Sequence, residues 1–212
     1  MAHPDYIRLK AIQFRVDENM TIDDIADRLA LSRTTVFYWV ENLHIPETQK
    51  QSAARQRASD ANSARARAKR EAAYAEGVQM YPELILKPTF RDFICMYIGD
   101  GYKRNRNRVS ICNSDPEVVK LGDSWIKKLS RNCVGYSIQH YADQSIDELR
   151  GFWATYLDID PGAIKFQGKS NSNQLTGRKW RSRHGVLDVG ANDTHFRAQL
   201  GAWMNLVKAE WR

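Results

Sequence analysis

Apolar positions recur at helical spacing over the first 45 residues, thin out through a polar middle stretch, and return after residue 88 in a mixture of helical and alternating patterns. Asp5–Val16 predicts a helix with Ile7, Ile12 and Phe14 among its apolar positions. From Met20 the pattern sharpens. Thr21 reads as an N-cap with Asp24 three residues on, and Ile22, Ile25, Ala26 and Leu29 follow at helical spacing. Leu31-Ser32 breaks the run, and Ser32 caps a further helix through Leu43 whose buried face is Val36, Trp39 or Val40, and Leu43. Pro46 ends it, because proline cannot continue the backbone ladder. A small trihelical domain over 1–45 is expected.

Residues 46–84 read as a basic, partly helical linker. The stretch is rich in Ala, Arg, Gln and Ser and has almost no large apolar residue before Tyr74. Arg55, Arg57, Arg65, Arg67, Lys69 and Arg70 face a lone Asp60. Ala and Arg favour helix, but nothing here offers a core. The stretch is either a solvated charged helix or a linker that follows a DNA backbone, and in both cases it separates two domains.

Residues 85–212 mix both periods. Pro88-Thr89 signals a helix start with Thr89 as N-cap, and Phe90 to Tyr97 is an apolar helix that ends in Gly99-Asp100-Gly101. Val109–Cys112, Tyr136–Tyr141 and Gly185–Val189 alternate as strands. Asp115-Pro116 opens a helix with apolar positions Val118, Leu121, Trp125 and Leu129. Ser145–Leu157 is a helix with Ile146, Leu149, Trp153 and Tyr156 on one side, and Thr194 caps a last helix carrying Phe196, Leu200, Trp203, Val207 and Trp211. Cys95 and Gly99, small and four apart, share a helix face that lets a second helix backbone approach. Asp100 stands at the helix C-terminus, where the dipole is already negative, so a cation would relieve the conflict.

Composition narrows the class. The 212 residues are 42% hydrophobic and 27% charged, as in an ordinary soluble globular protein. No apolar run of about 18 residues exists to span a membrane, and Met1-Ala2-His3-Pro4-Asp5 lacks a secretion pattern. Cys95, Cys112 and Cys133 are odd in number and form no CxxC pair, which disfavours zinc and disulfides; a cytoplasmic, nucleoid-associated location is expected. The net charge of +7 suggests an anionic partner, though it also serves plain solubility. The excess lies in the middle and the C-terminal half, because residues 1–45 carry 5 basic and 7 acidic side chains.

Two stretches resemble known families. The string from Thr21 to Trp39 resembles bacterial helix-turn-helix modules, whose second helix enters the major groove. On that resemblance Arg33, Thr34 and Tyr38 are the outward DNA contacts, with Phe37 nearby. Tyr97-Ile98-Gly99-Asp100-Gly101-Tyr102 is similar to the end of the LAGLIDADG homing-endonuclease motif, and Asn113-Ser114-Asp115-Pro116-Glu117 to the turn that opens that family's second helix. Ile98 departs from the fullest motif, which has a second acid there. The resemblance covers 85–212, with an inserted helix and loop near 145–184. It implies an α+β protein whose C-terminal domain is αββαββα with an antiparallel saddle sheet lying on the duplex. It further implies that Asp100 binds Mg²⁺, and that a homodimer supplies two carboxylates and favours a near-palindromic double-stranded site. Contacts would come from Lys103, Arg104, Arg106 and Arg108, with Ser110 on the strand.

Between Pro161 and Leu187 there are six basic residues and no acid: Lys165, Lys169, Arg178, Lys179, Arg181 and Arg183. Amides and aromatic residues are interleaved, as base-edge and phosphate contacts require. Family enzymes place a basic residue near the active site; Lys165 or Lys169 is the candidate, with Lys169 taken as the catalytic one. His184 is structural or a phosphate contact, and His140 is a strand residue. Two function classes follow: a site-specific, metal-dependent DNA endonuclease, or a non-cleaving transcriptional regulator that reuses the same fold with a helix-turn-helix. A protein-binding scaffold fits the acid-free run least well.

Overall fold

The computed structural model describes residues 3–43, 49–168 and 182–212 and divides into two compact units, Met1–Asn62 and Ser63–Arg212. In the first unit, α1 (Asp5–Val16), α2 (Ile22–Leu29) and α3 (Arg33–Val40) enclose a core of Ala11, Phe14, Ile25, Ala26, Val36 and Val40. The capping signals at both short helices act as the sequence reads. Thr21 Oγ1 accepts from the Asp24 amide at 3.1 Å, and the Asp24 carboxylate accepts in return from the Thr21 amide at 3.3 Å. Ser32 Oγ accepts from the Thr35 amide at 3.1 Å. Between them Ala30 adopts a left-handed φ of 51°, which returns its own amide and that of Leu31 to carbonyls of α2.

The stretch expected to be a partly helical linker is one continuous helix, α4 (Gln49–Leu84), of 36 residues, and the boundary between the units falls within it. Its side chains from Ser52 to Lys69 are exposed, as a segment without apolar residues must be. Its last turns are different. Ala73, Gly77 and Leu84 are buried, and Met80 and Tyr81 pack on the core of the second unit.

That unit continues with α5 (Phe90–Asp100), β1 (Val109–Asn113), α6 (Pro116–Leu129), β2 (Gly135–His140), α7 (Ile146–Leu157), β3 (Ile164–Gly168), β4 (Val186–Ala191) and α8 (Thr194–Ala209). The fold is mixed α+β. The four strands run in the order β1-β4-β2-β3, so β4 is central and pairs antiparallel with both β1 and β2. β2 and β3 are parallel. The wholly antiparallel αββαββα sheet that the resemblance implied is therefore not what forms. A parallel pair needs a crossover, and α7, together with a 3₁₀ turn at Pro161–Ala163, supplies it. Nor does a full strand follow the Gly-Asp-Gly end of α5. Only Gly101 bridges to Ile111, with the Tyr102 amide donating to the Ser110 carbonyl at 2.9 Å.

The helices bury the face Val109, Ile111, Tyr136, Ile138, Ile164, Leu187 and Val189 of the sheet. Some helical faces are turned from their expected rows. On α6 the buried residues are Val119, Gly122, Asp123, Trp125 and Ile126, because Gly122 lets the helix settle on the Ile111 side chain. On α7 Ala154 and Leu157 replace Ile146 and Tyr156 in the core. Thr89 does not cap α5. It takes a left-handed φ of 63°, and its hydroxyl accepts from Trp125 Nε1 at 3.1 Å. α4 crosses α8 at Gly77, where a Cβ would stand 2.9 Å from the Gln199 Cα, and Trp203 Nε1 donates to the Gly77 carbonyl at 2.8 Å.

α8 is capped by Asp193 and not by Thr194. The buried Asp193 carboxylate accepts from the Phe196 amide at 2.9 Å, the Arg131 amide at 2.8 Å and the Ser130 hydroxyl at 3.3 Å, tying the end of α6 to the start of α8. Burial alone would raise its pKa, but these donors, with the His195 amide, bring it below its ordinary value. The stability it contributes is present above about pH 4 and is lost as pH falls through the lowered folded value. Asp193→Ala is expected to destabilise the protein by about 2–3 kcal/mol in urea melts at pH 7, with the deficit shrinking as the pH drops below about 4.

Candidate nucleic-acid interface

The helices leave the other face of the sheet bare. Alternation places Ser110 and Cys112 of β1, Gly135, Ser137 and Gln139 of β2, Lys165 and Gln167 of β3, and Val186, Asp188 and Gly190 of β4 on it. Four strands about 4.8 Å apart make this face about 14 Å across. A hollow of about 550 Å³ lies over it, bounded by Arg108, Asn132, Ser137, Lys165, Gln167 and Asn192 among others. Gly190 keeps the hollow flat: a Cβ there would meet the Ser110 Cβ at 2.3 Å.

Arg108 crosses this face from the end of the preceding loop. Its guanidinium pairs with Asp188 at 2.7 Å and also donates to Ser110 Oγ at 3.3 Å and Asn192 Oδ1 at 3.4 Å. Arg108 is thus held in the protein by an acid that the sequence reading did not single out. Asp188 Oδ1 and Ser137 Oγ, both enclosed, have no hydrogen-bond partner in the structure. The signal was legible: Asp188 is the polar position in the alternating Val186-Leu187-Asp188-Val189.

The Gly-Asp-Gly end of α5 has a separate geometry. Gly101 is buried, and a Cβ on it would lie 2.5 Å from the Tyr97 ring and 2.6 Å from the Tyr97 carbonyl. The Tyr97 hydroxyl donates to the Tyr102 carbonyl at 2.5 Å, and burial pushes its pKa up to about 12. This packing turns the chain out of the helix. Gly99 has open space around it, and a Cβ there meets nothing within 4 Å. Asp100, between them, is exposed and accepts from Asn113 Nδ2 at 2.6 Å. The cation that the helix end invites is within the chain: Lys103 Nζ donates to the Gly101 carbonyl at 2.9 Å and the Gly99 carbonyl at 3.3 Å.

Register brings distant parts of the sequence to one end of the sheet. Asn113 pairs with Leu187, Gln139 with Val186, and His140 with Gly168. The Asp100–Asn113 pair therefore lies at the end of the sheet where the acid-free segment leaves β3 and returns to β4. Lys169, Arg178, Lys179 and Arg181 lie outside the described residues. The return is anchored. Gln144 Nε2 donates to the Ser182 carbonyl at 2.9 Å, Trp153 Nε1 donates to the His184 carbonyl at 2.7 Å, and the His184 ring stacks on Phe152 at 3.5 Å. Burial, then the Arg183 charge, lowers the His184 pKa, so the ring is a packed neutral group. Arg183 and Lys165 are exposed. His140 Nδ1 lies 3.0 Å from the Tyr141 carbonyl, a strand-end contact.

The other expected contacts divide. Lys103 caps α5, Arg104 is exposed, and Arg106 lines a groove between α4 and α8. In the first unit Arg33 pairs with Asp23 at 2.7 Å, while Thr34, Phe37 and Tyr38 are exposed on α3. Among the described residues no three His, Cys, Asp or Glu side chains cluster as a metal site, and no helix is long and apolar enough to cross a membrane. Comparison with known proteins finds no matching family model, curated relative or solved structure, so neither family that the motifs resemble is named by it.

The two glycines separate in their expected effects. Gly101→Ala is expected to lower stability by about 1–3 kcal/mol through its clash with Tyr97. Gly99→Ala, in open space on a helix, is expected to raise the stability of the isolated chain by up to about 1 kcal/mol. Thermal melts of the two variants check both.

Proposed function

We propose that the protein binds double-stranded DNA in a sequence-specific way, as a LAGLIDADG-type site-specific endonuclease preceded by a helix-turn-helix. The observation that carries the reading is the bare sheet face: a shallow surface about 14 Å across that carries amides, hydroxyls and cations, one carboxylate that holds Arg108, and no apolar side chain larger than Val186. Gln139 and Gln167 are cross-strand neighbours on it and suit paired donor–acceptor readout of base edges. Lys165, Arg183 and Arg104 suit phosphates, and Arg108 is oriented by Asp188 before any ligand arrives. The segment with Lys169, Arg178, Lys179 and Arg181 leaves and rejoins the sheet at the end where Asp100 stands. On α3, Arg33, Thr34 and Tyr38 supply a second reading surface.

For cleavage, Asp100 is the residue that would hold Mg²⁺. Its Oδ2 is oriented by the Asn113 amide, and its exposure at the helix end leaves room for a phosphate oxygen. One carboxylate is half of such a site, which is why a second copy is part of the proposal. When bound, the metal supplies an activated water and stabilises the leaving oxygen. Lys169 is the proposed basic partner.

A second reading, a transcriptional regulator that binds without cutting, is favoured by one specific contact. Lys103 already places a positive charge on the Gly99 and Gly101 carbonyls. That ammonium offsets the helix-end charge which a metal would otherwise relieve.

The deciding experiment selects bound duplexes from a random pool in EDTA, then adds Mg²⁺ to the recovered sites with wild type or Asp100→Asn. Cutting by the wild type alone supports the endonuclease. Intact binding by both supports the regulator. Under either reading, affinity for the selected site is expected to fall on the order of 10³-fold between roughly 50 and 200 mM salt, for about six phosphate contacts. Affinity that holds steady across that range rules out DNA as the main ligand.

A further inference from the structure

Four guanidiniums meet where α4 passes α8. Arg67 and Arg70 project from α4, Arg197 from α8, and Arg106 from the loop between α5 and β1; together they border an open groove of about 580 Å³. All four belong to the second unit. Arg67, Arg70 and Tyr74 are spaced at 0, +3 and +7 along α4, so they form one row on that helix. Gly201 on α8 has no side chain to fill the space, and the Tyr74 ring reaches to 4.0 Å from where its Cβ would be. Asn205 Nδ2 donates to the Tyr74 hydroxyl at 3.1 Å, which holds the ring with part of its surface open.

These arginines differ from others in the same unit. Arg91 holds Glu210, Arg108 holds Asp188, Arg131 holds Glu76 and Arg150 holds Asp147. Among the described residues none of Arg67, Arg70, Arg106 and Arg197 has an ion-pair partner, although Glu71 borders the same groove. Arg197 Nε is enclosed and has no hydrogen-bond partner at all. The Nε is closed to solvent, so what the groove offers an anion is the guanidinium ends of these arginines, none of them held by a carboxylate among the described residues.

We propose that this groove is a nucleotide-phosphate site: the guanidiniums take phosphate oxygens, and the Tyr74 ring takes the face of a base. Guanidinium forks match phosphate geometry, and aromatic rings hold bases of any sequence by stacking. Glu71, the one carboxylate at the groove among the described residues, suits an exocyclic amine of the base, so the site distinguishes a nucleotide from a bare anion. The volume falls within the range of small-ligand sites, roughly 300–1,000 Å³. The phosphate comes either from a free nucleotide or from a nucleic-acid strand passing the edge of the sheet; the recognising chemistry is the same. None of these side chains belongs to the sheet face, so the site stands whether or not that face binds DNA.

The test is calorimetric titration of the full chain with three probes: inorganic pyrophosphate, metal-free ATP, and a ten-nucleotide deoxyadenosine single strand, whose bases carry the same exocyclic amine as ATP. The variants are Arg67→Ala with Arg106→Ala, Tyr74→Ala, and Lys208→Ala as a control for lost charge elsewhere on α8. Circular dichroism monitors their folding. The double variant is expected to weaken the bound probe at least tenfold, and Lys208→Ala to leave it unchanged. Tyr74→Ala is expected to weaken ATP or the strand but not pyrophosphate. ATP binding without strand binding identifies a free nucleotide as the source, and the reverse identifies a strand. Absence of binding by all three probes at millimolar concentration overturns the proposal. Binding that the folded double variant retains in full overturns it equally.

Discussion

The close crossing of α4 over α8 is the contact on which the rest of the larger unit depends. With no side chain at Gly77, the two backbones approach until a Cβ would stand 2.9 Å from the Gln199 Cα. At that separation the Trp203 indole reaches the Gly77 carbonyl, so a buried donor and a buried acceptor satisfy each other. Leaving either alone would cost about 1–3 kcal/mol. Trp203 in turn packs edge-on to Phe90, and Phe90 to Trp125, so the crossing fixes α5 and α6 through one run of aromatic rings. α5 then sets where Asp100 stands, and α4 and α8 set the width of the arginine groove. Both candidate sites inherit their geometry from one glycine.

Charge behaves differently on the two surfaces. On the sheet face the strongest cation, Arg108, is paired with Asp188 and fixed; in the groove the guanidiniums are unpaired. Only Asn107 separates Arg106 from Arg108 in the sequence, yet the two line different surfaces. A net charge of +7 serves solubility as well as it serves an anionic partner. Only the distribution of carboxylates among the arginines indicates where a cation remains free to meet it.

The element boundaries were largely legible in the sequence, because caps and breakers act locally. Thr21 with Asp24, Ser32, and Asp115 with Pro116 each start a helix where the residues say they should. What was not legible depends on partners far along the chain. Thr89 carries an N-cap side chain but uses it on Trp125, and Asp193 takes the cap expected of Thr194 because the end of α6 supplies it with further donors. The polar stretch of α4 reads as linker because local hydrophobicity is low, while its last turns dock on α8 through a glycine and a carbonyl, groups that no hydropathy pattern registers. The parallel β2–β3 pair was hidden because β3 itself was not read as a strand: Ile164–Gly168 has only two apolar positions and sat within the stretch assigned to an inserted helix and loop. Of the site residues, Asp100 and Arg108 were visible as types in a pattern, but the Asn113 and Asp188 that orient them were not singled out for those roles.

The central place of β4 has a consequence for how the chain acquires its fold during synthesis. β1 and β2 do not pair with one another; each pairs with β4, which begins at Val186. Until the ribosome has delivered those last residues, β1 has no strand beside it in the sheet, and α5 and α6 have only part of a surface on which to close. The long-range pairing that completes the sheet comes late and is entropically slow. A chain stalled short of residue 186 exposes the apolar faces of its helices and two unpaired strand edges, the form in which nascent proteins bind chaperones or aggregate. The order in which the strands are written thus makes the last 27 residues the part that lets the sheet of the second unit close.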